Sequence, residues 1–384
     1  MASLQLPVAE LSEETELIRA EIHEFLRVEQ ENGTFQPKCD TWLSGCSPSF
    51  SRKLGERGWI GMTWPKRYGG HERSALERYV VTEELLSAGA PVAAHWIADR
   101  QTGPLLLRYG TEEQRSLFLP KIARGECYFA IGLSEPNAGS DLAAVQSRAV
   151  KVEGGWLLNG SKTWTSGAHH AHYMITLCRT SAYNPEKRHD GMSQLLVDLS
   201  APGVTVRPIL LMTGEHHFNE VFFEDVFIPD DCLIGQEGNG WKQGMTELAY
   251  ERSGPERFLS TFPLLQELTN QVKMTGDKHL MGQLSKLVSR LWTLRLMSIG
   301  VAQMLEKGET PDVMAALVKD MGTKFEQQVA EVARLLIPTS PSIRGALLLD
   351  HFMAESILHA PGFTLRGGTT EILRGIVAKG VVSK

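Results

Sequence analysis

The sequence predicts an α+β fold, in which an N-terminal helical domain, a central small β-domain and a C-terminal helical bundle follow one another. Three observations lead to this prediction. Apolar residues recur at helical spacing in residues 1–127, short strand-like runs separated by turns fill residues 128–238, and long periodic helices return in residues 239–384. We take these three segments as the predicted domains.

Composition excludes several functional classes. The 384 residues are 42% hydrophobic and 22% charged, with a net charge of −6, so no basic footprint for nucleic acid is present. No apolar run approaches the roughly 18–20 residues that span a membrane. The N-terminal stretch turns acidic early and has no signal region. The five cysteines lack C-x-x-C spacing, which predicts free thiols and a cytoplasmic location.

The N-terminal segment is predicted to be helical. Leu17, Ile18, Ile22 and Phe25 recur near helical spacing. Further along, Thr111 opens a capping box, TEEQ, at the start of another apolar periodic stretch. Between helices, GWIGMTWPKRYGG is rich in Gly, Pro and Trp and predicts an ordered loop.

The central segment is predicted to be a sheet of six or more strands. RAVKVEGGWLLNG reads as a hairpin around Gly154 and Gly155, a two-residue signal for a tight turn. The further strand-like runs, each bounded by turns, are AHYMITLC, GMSQLLVDL, VTVRPIL and NEVFFEDVFIP.

The C-terminal segment is predicted to be a helical bundle, because its helices are long and their connections short. LMGQLSKLVSRLWTLRLMSIGVAQML is strongly periodic. Thr310 and Pro311 predict an N-cap and a first-turn proline for the next helix. Another helix is expected from about Ile343 to His359, and the last from about Thr370.

Two patterns are weak as functional signals. GQEGNG (235–240) is a glycine cluster outside any β-α-β unit, so a strand-to-helix turn is the better interpretation than a phosphate loop. The histidines are close in sequence, but no carboxylate or cysteine stands beside them at ligand spacing, and strand alternation would separate neighbours. No metal site is therefore predicted; the histidines concerned are His169, His170, His172, His216 and His217.

Two central segments can meet a ligand. LSEPNAGSD offers the hydroxyls of Ser134 and Ser140 and several backbone amides, although a capped polar loop would look the same. SKTWTSGAHH sets Trp164 beside two hydroxyls. That arrangement suits a planar ring edged with heteroatoms, but a buried core tryptophan is commoner.

Two C-terminal segments complete the set. LRGGTTEILRG lets a glycine backbone approach a ligand closely and leads into a helix N-terminus, which favours an anion. TELAYERSGPERF puts Glu247 and Glu251 one helical turn apart, with Arg252 adjacent. In isolation, this second segment is a solvated helix face.

Together the segments resemble the acyl-CoA dehydrogenase family, over essentially the whole chain. LSEPNAGSD is similar to the family's flavin and substrate loop, a Thr or Ser followed by E-P-x-A-G-S-D. KTWTS is similar to the flavin-facing W-[IT]-[TS] segment, GGTTEI to the closing G-T-[ST]-[EQ]-I loop, and WPKRYGG to the helical linker. The resemblance implies an acyl-CoA dehydrogenase-like fold, FAD held between the β-domain and the C-terminal helices, and usually a tetramer.

The resemblance also implies roles for individual residues. The cofactor-binding residues would be Leu133, Ser134, Trp164, Thr165, Ser166, Thr369, Thr370 and Glu371. The substrate-binding residues would be Ser140, Tyr250, Arg252, Gly367 and Gly368. An acyl-CoA substrate would gain a double bond α,β to its thioester, and the electrons would pass to an electron-transferring flavoprotein.

The reaction needs a carboxylate on the side of the acyl chain opposite the flavin. Many family members carry that glutamate immediately before the G-T of the last loop, where this chain has Gly367. A minority, similar to isovaleryl-CoA and long-chain acyl-CoA dehydrogenases, carry it on a C-terminal-domain helix before an arginine. Glu251 and Arg252 match that pair, so Glu251 is the predicted base. The amide of Gly367 can still donate to the thioester oxygen.

Two departures from the family leave the assembly open. QVKMTGDKHLMG stands in place of R-x-x-F-G, and HFMAESILHAPGF in place of Q-x-x-G-G, both of which reach a neighbouring subunit's flavin. Either a homotetramer or a mixed tetramer with a related chain is expected, as in members that act on steroid side chains. Two other functions stay open: a non-catalytic partner subunit, and a flavin oxidase or monooxygenase on the same fold.

Overall fold

The computed structural model describes residues 6–7, 11–250, 254–345 and 347–382, without the side chains of 246–250. Apart from the undescribed positions, the chain divides into two compact units. Unit 1 consists of residues 1–45, 73–92 and 251–384, and unit 2 of residues 46–72 and 93–250.

The described helices and strands follow the predicted α, β, α order. The helices are α1 Glu13–Glu31, α2 Thr41–Ser44, α3 Pro48–Glu56, α4 Ala75–Ser87, α5 Ala93–Ile97, α6 Gly103–Tyr109, α7 Glu112–Ala123, α8 Gly240–Tyr250, α9 Phe262–Thr275, α10 Lys278–Glu306, α11 Asp312–Leu336, α12 Leu348–Phe363 and α13 Thr370–Val382. The strands are β1 Phe129–Gly132, β2 Arg148–Val152, β3 Gly155–Ser166, β4 Tyr173–Arg179, β5 Met192–Asp198, β6 Val204–Leu210, β7 His216–Pro229 and β8 Leu233–Ile234.

Unit 1 is a bundle in which α11 packs against α10, α12 and α13, and α4 packs against α1 and α10. The apolar face of α11 supplies Met314, Ala315 and Val318, which lie against Val301 of α10. Some helix N-termini of this unit are capped by side chains. The carboxylate of Asp277, for example, accepts hydrogen bonds from the first backbone amides of α10.

Unit 2 is built on a sheet with strand order β6-β7-β3-β2-β4-β5-β8, to which β1 adds parallel to β4. The long strands β3 and β7 pair antiparallel, with Trp156 opposite Ile228 and Thr165 opposite Asn219. This ladder has an irregularity between Lys162 and Thr165. The core of the unit packs apolar side chains of both long strands, such as Trp156 and Phe223.

The α+β class and the order of the segments are confirmed, and the Gly154–Gly155 hairpin joins β2 to β3 as predicted. The helix expected from Ile343 begins instead at Leu348, because a turn comes first, in which the amide of Gly345 donates to the carbonyl of Ser342. Thr310 does not cap α11, whose N-cap is Pro311. The domain boundaries at 127/128 and 238/239 stay predictions.

Two global expectations can be compared with the described part of the chain. All five cysteines lie in it, and each is a free thiol. Within the same residues, no helix combines the length and apolar character that crossing a bilayer requires.

Candidate functional site

The segment LSEPNAGSD leaves β1 and folds into a tight turn in unit 2. The amide of Glu135 donates to the carbonyl of Ala138 at 2.9 Å, and the amide of Ala138 donates back at 3.1 Å. Leu133 and Ser134, just before the turn, are half-buried, whereas Ser140, after it, is exposed. The turn thus presents the start of the segment to the sheet and its end to solvent.

A buried ion pair connects this segment to the end of β3. The ammonium of Lys162, fully buried, donates to the Glu135 carboxylate at 2.7 Å and to the Leu133 carbonyl at 3.2 Å. The amide of Thr163 donates to the Ser134 carbonyl at 2.9 Å. The segment LSEPNAGSD and the end of β3 are therefore held together. The carbonyls of Leu133 and Ser134 are both fixed by hydrogen bonds from β3.

The Glu135 carboxylate is also bound by the backbone. It accepts hydrogen bonds from the amides of Gln146 at 2.7 Å and Ser147 at 2.9 Å. Burial by itself would raise the pKa of Glu135, but the Lys162 ammonium and these hydrogen bonds outweigh it and lower the pKa below its ordinary value. Glu135 is therefore an ionised structural anchor at neutral pH.

Trp164 has a strained backbone and an exposed indole. Its φ is +56°, in the left-handed region that bulky residues avoid, at a cost of about 1–3 kcal/mol. The residue sits in the irregularity of the β3–β7 ladder, and its ring meets Phe218 edge-on, with centroids 5.8 Å apart. More than half of the side chain is exposed. A large ring held out by a strained backbone is typical of a ligand platform.

Thr165 carries a buried hydroxyl that fits a ligand. Its carbonyl accepts a hydrogen bond from the Asn219 amide at 2.9 Å, which holds the backbone in place. Its Oγ1 is buried and has no hydrogen-bond partner in the described part of the chain. Buried hydroxyls are usually hydrogen-bonded, so this atom is available to a polar partner such as a ligand or a water molecule. Ser166 follows, half-buried, opposite Phe218.

The histidines beyond β3 come together, contrary to the sequence expectation. The ring of His169 stacks on that of His216 with centroids 3.7 Å apart, and lies 4.0 Å from that of His170. The expectation of separation failed because residues 167–170 form a turn rather than a strand. Burial and the neighbouring His170 and His216 lower the pKa of His169 to about 4, so the imidazole is neutral at neutral pH.

In unit 1, the segment LRGGTTEILRG forms a turn between α12 and α13. Gly367 and Gly368 have φ values of +64° and +93°, which favour glycine at both positions. The turn closes on itself, since the amide of Thr370 donates to the carbonyl of Thr364 at 3.2 Å. We call residues 364–370 the glycine turn.

Arg366 anchors the first half of the glycine turn. Its guanidinium donates to the Asp40 carboxylate at 2.6 Å and to the Ser260 hydroxyl at 3.0 Å. It also lies over the Trp42 ring, with 4.5 Å between the guanidinium carbon and the ring centroid. Burial alone would raise the pKa of Asp40, but Arg366 and His359 hold it well below its ordinary value.

Two buried basic residues lie against the second half. The ammonium of Lys319, fully buried on α11, donates to the Gly368 carbonyl at 2.9 Å. Arg257 is equally buried, and its guanidinium carbon also lies over the Trp42 ring, 5.0 Å from the ring centroid. The same guanidinium occupies the space next to the α carbon of Gly367.

The glycine turn leads into the N-terminus of α13. The Thr369 hydroxyl accepts a hydrogen bond from the amide of Ile372 at 3.4 Å, and its carbonyl accepts one from Leu373 at 3.0 Å. The first amides of a helix attract anions, phosphate above all. The Oγ1 of Thr370 is buried and has no partner among the residues described. Glu371 is exposed.

The structure brings the predicted residues together in two groups. In unit 2, the turn and the end of β3 hold Leu133, Ser134, Trp164, Thr165 and Ser166, with Ser140 exposed beyond them. In unit 1, the glycine turn and the start of α13 hold Gly367, Gly368, Thr369, Thr370 and Glu371. Glu251 and Arg252 lie outside the described residues. Tyr250 ends α8, and its side chain is not among those described.

Sequence reasoning gave no role to five side chains that hold these groups in place. Lys162 and Glu135 lie inside the quoted motifs, and Arg366 directly precedes the glycines. Lys319 left a detectable signal, because it falls on the apolar face of α11 between Ala315 and Gly322, where a lysine is unexpected. Arg257 left none, since its position against residue 367 depends on the tertiary fold.

Family models match most of the chain. The models described as acyl-CoA dehydrogenase N-terminal, middle and C-terminal domains match residues 12–126, 130–226 and 260–382.

Individual relatives and solved structures agree with those models. The acyl-CoA dehydrogenases FadE34 and FadE29 of Mycobacterium tuberculosis are each 33% identical over 85% of this chain, which spans 45% of the length of the first and 86% of the second. A solved structure titled Tcur3481-Tcur3483 steroid ACAD has a TM-score of 0.85 and 28% identity, with 99% of both chains covered. The ChsE4-ChsE5 complex from M. tuberculosis has a TM-score of 0.82 and 28% identity, with 98% of both chains covered.

Proposed function

Because the chain belongs to the acyl-CoA dehydrogenase family, we propose that it inserts a double bond α,β to the thioester of an acyl-CoA, with FAD as cofactor and Glu251 as base. The members of this family are FAD flavoproteins. One observation carries the assignment to this chain. Two threonines predicted to meet FAD, Thr165 and Thr370, each bury a hydroxyl without a partner in the described residues. Such atoms fit a polar cofactor.

The residues that would hold FAD divide into three kinds. Trp164, with its exposed ring, offers a flat face to an aromatic ligand. The hydroxyls of Thr165 and Ser166 and the backbone of Leu133 and Ser134 offer hydrogen-bond partners. Thr369, Thr370 and Glu371, at the start of α13, would offer backbone and hydroxyl hydrogen-bond groups to the nucleotide part.

Bound FAD supplies the acceptor for a hydride. The chain's own task is to bring the α carbon of the thioester to a base and to stabilise the charge that develops on the thioester oxygen. The α C–H bond breaks and its proton passes to the Glu251 carboxylate, while the β hydrogen departs with its electron pair and the C=C bond forms. The amide of Gly367, fixed by the anchors on both sides of it, would donate to the oxygen.

Substitution of Glu251 by Gln tests the base. The variant should bind FAD like the parent, yet reduction of the flavin by acyl-CoA should slow by at least about 100-fold, because proton transfer has lost its acceptor. Anaerobic bleaching of the flavin absorbance measures the rate. Glu247→Gln, four residues earlier in the sequence, is the matched control and should remain active. Normal flavin reduction by Glu251→Gln would exclude the assignment.

A dehydrogenase is preferred to the two other functions that the sequence left open, since the relatives are named acyl-CoA dehydrogenases. Bleaching by substrate without oxygen consumption, followed by transfer of electrons to an electron-transferring flavoprotein, is the expected behaviour. Rapid oxygen uptake without another acceptor would favour an oxidase or monooxygenase. A chain that binds no flavin and reacts with no acyl-CoA would favour a non-catalytic partner subunit.

Membership of the family does not define the acyl group of the substrate. We propose a panel of straight-chain, branched-chain and steroid side-chain CoA esters, because one solved neighbour is described as a steroid ACAD. A dye acceptor reports turnover for each ester. The ester with the largest kcat/KM identifies the substrate class.

We also propose assembly with a related chain. The neighbour described as the ChsE4-ChsE5 complex pairs two different proteins. In this chain, α10 exposes an apolar stripe at helical spacing, formed by Met281, Val288, Trp292 and Leu296, which suits burial against another subunit. Size-exclusion mass and the flavin-to-protein ratio of the chain expressed alone test this. One flavin per chain in a homotetramer would rule out a mixed assembly.

A further inference from the structure

The space beside Gly367 is already filled. A Cβ built on this residue would lie 3.1 Å from both terminal guanidinium nitrogens of Arg257 and 3.2 Å from the carbon between them. Ordinary contacts of a Cβ start at about 3.4 Å, so any side chain at this position would push on the whole guanidinium. Its φ of +64° adds about 1–2 kcal/mol for a residue other than glycine.

Arg257 is not placed to move aside. Its side chain is 1% exposed, its guanidinium lies over the Trp42 ring at 5.0 Å, and its Nε is 4.0 Å from the Glu256 carboxylate. Displacing it would separate these groups inside a packed interior. Arg257 also belongs to a short helical turn, Pro255–Arg257, whose amide at Arg257 donates to the carbonyl of Gly254.

The glycine turn cannot retreat either. Before Gly367, Arg366 donates a hydrogen bond to the Asp40 carboxylate at 2.6 Å. After it, the carbonyl of Gly368 accepts a hydrogen bond from the Lys319 ammonium at 2.9 Å. Both anchors are charged hydrogen bonds at buried or half-buried positions, where they are strongest. A shift of a few tenths of an ångström at residue 367 would stretch both.

The charge of Arg257, like its bulk, disfavours a catalytic carboxylate at residue 367. A carboxylate placed at residue 367 would lie within reach of the Arg257 guanidinium and form an ion pair with it. An adjacent positive charge lowers the pKa of a carboxylic acid. A carboxylate with a lowered pKa is a poor acceptor for a weakly acidic carbon-bound proton.

We propose that Arg257 is a positioning residue of the proposed site: its guanidinium fills the Cβ side of Gly367, keeps that position free of any side chain, and so confines proton abstraction to Glu251. This inference rests on the proposed function for its second half. The first half, the exclusion of a side chain at 367, is a property of the fold and can be tested without FAD or substrate.

A double-mutant cycle tests the exclusion. In the parent chain, Gly367→Ala should lower the equilibrium constant for folding by at least about 25-fold, about fivefold from the strained φ and about fivefold from the contact with Arg257. In an Arg257→Ala background, the φ penalty remains but the contact is gone. The factor by which Gly367→Ala lowers the folding equilibrium constant should therefore be at least about fivefold smaller there than in the parent. Urea unfolding of the flavin-free proteins provides the four constants.

A matched control and a second background keep this cycle decisive. Gly375→Ala, in the exposed face of α13 with nothing within 4 Å of its Cβ position, should show no coupling to Arg257→Ala. Arg257→Lys keeps the charge on a slimmer head group, and it should also relieve Gly367→Ala if the alanine background does not fold. Equal losses in the parent and both Arg257 backgrounds would overturn the inference.

Moving the base tests the consequence. Starting from Glu251→Gln, addition of Gly367→Glu alone should leave flavin reduction by acyl-CoA at the level of Glu251→Gln. Further addition of Arg257→Ala should raise that rate by at least about tenfold, because the new carboxylate gains both space and a normal pKa.

The outcomes separate the two claims. Normal activity of Glu251→Gln would exclude Glu251 as the base, but it would not affect the interpretation of the double-mutant cycle. With Glu251→Gln inactive, recovery by Gly367→Glu without the change at Arg257, or no recovery with it, would overturn the role of Arg257.

Discussion

Glu326 is fully buried on α11, and replacing it with glutamine should change how stability depends on pH. One carboxylate oxygen accepts a hydrogen bond from the amide of Ser260 at 2.8 Å, and the other has no partner among the described residues. Burial raises the pKa of Glu326 to about 7 from an ordinary 4.5, against the opposing influence of Arg366. The folded chain therefore keeps this group protonated where the unfolded chain ionises it.

The magnitude follows from that gap. A raised pKa in the folded state means that the stability contributed by the proton is fully present below about pH 4.5 and is lost as the pH rises through about 7. The difference of about 2.5 units corresponds to about 3 kcal/mol at 1.36 kcal/mol per unit. Glutamine has no proton to lose, so Glu326→Gln should escape this loss.

Urea unfolding at about pH 5 and about pH 8 measures the effect. Relative to the parent, Glu326→Gln should gain roughly 2.5 kcal/mol of unfolding free energy between these two conditions, because the unfolded carboxyl is already largely ionised at about pH 5. Glu331→Gln is the matched control on the same helix. Its carboxylate is exposed and pairs with Arg334, so its substitution should leave the pH dependence nearly unchanged. A constant difference between Glu326→Gln and parent at both pH values would refute the reasoning.

Two further substitutions address the β3 half of the site. Lys162→Met leaves the Glu135 carboxylate buried without its cation and should lower the free energy of unfolding by about 3–5 kcal/mol, whereas adding Glu135→Gln should restore part of it; strictly additive losses in urea unfolding would contradict a coupled pair. Thr165→Val removes the partnerless hydroxyl, so it should leave the flavin-free chain equally stable or slightly more stable. The same variant should bind FAD about 3- to 10-fold more weakly in a fluorescence titration, and unchanged affinity would argue against this hydroxyl as a cofactor contact.

The sequence was sufficient to predict the elements because periodicity and turn residues are local signals. The strand-like run AHYMITLC became β4, and the expected start near Thr370 is the start of α13. Errors arose where a local signal was outweighed by neighbours. The helix predicted from Ile343 starts at Leu348, because the amide of Ser342 donates to the carbonyl of Asp350 and bends the chain before the helix.

The site was predictable only as far as its residues carry motifs. The structure places the Arg257 guanidinium beside Gly367, although Arg257 lies more than one hundred positions earlier in the chain. No spacing rule connects two such residues, since their contact depends on how α11 and α12 bring the glycine turn back over Trp42.

Backbone flexibility is therefore not the only explanation for glycine at positions 367 and 368. A loop that supplied a base would need a side chain at residue 367, and this loop is held by a cation on that very side. The loop keeps two backbone groups: the amide of Gly367, which we propose donates to the thioester oxygen, and the carbonyl of Gly368, which accepts a hydrogen bond from Lys319. If the anchors serve to hold that amide still, losing Lys319 should slow the chemical step more than it weakens substrate binding, because a displaced amide stabilises only the charge that develops in the transition state.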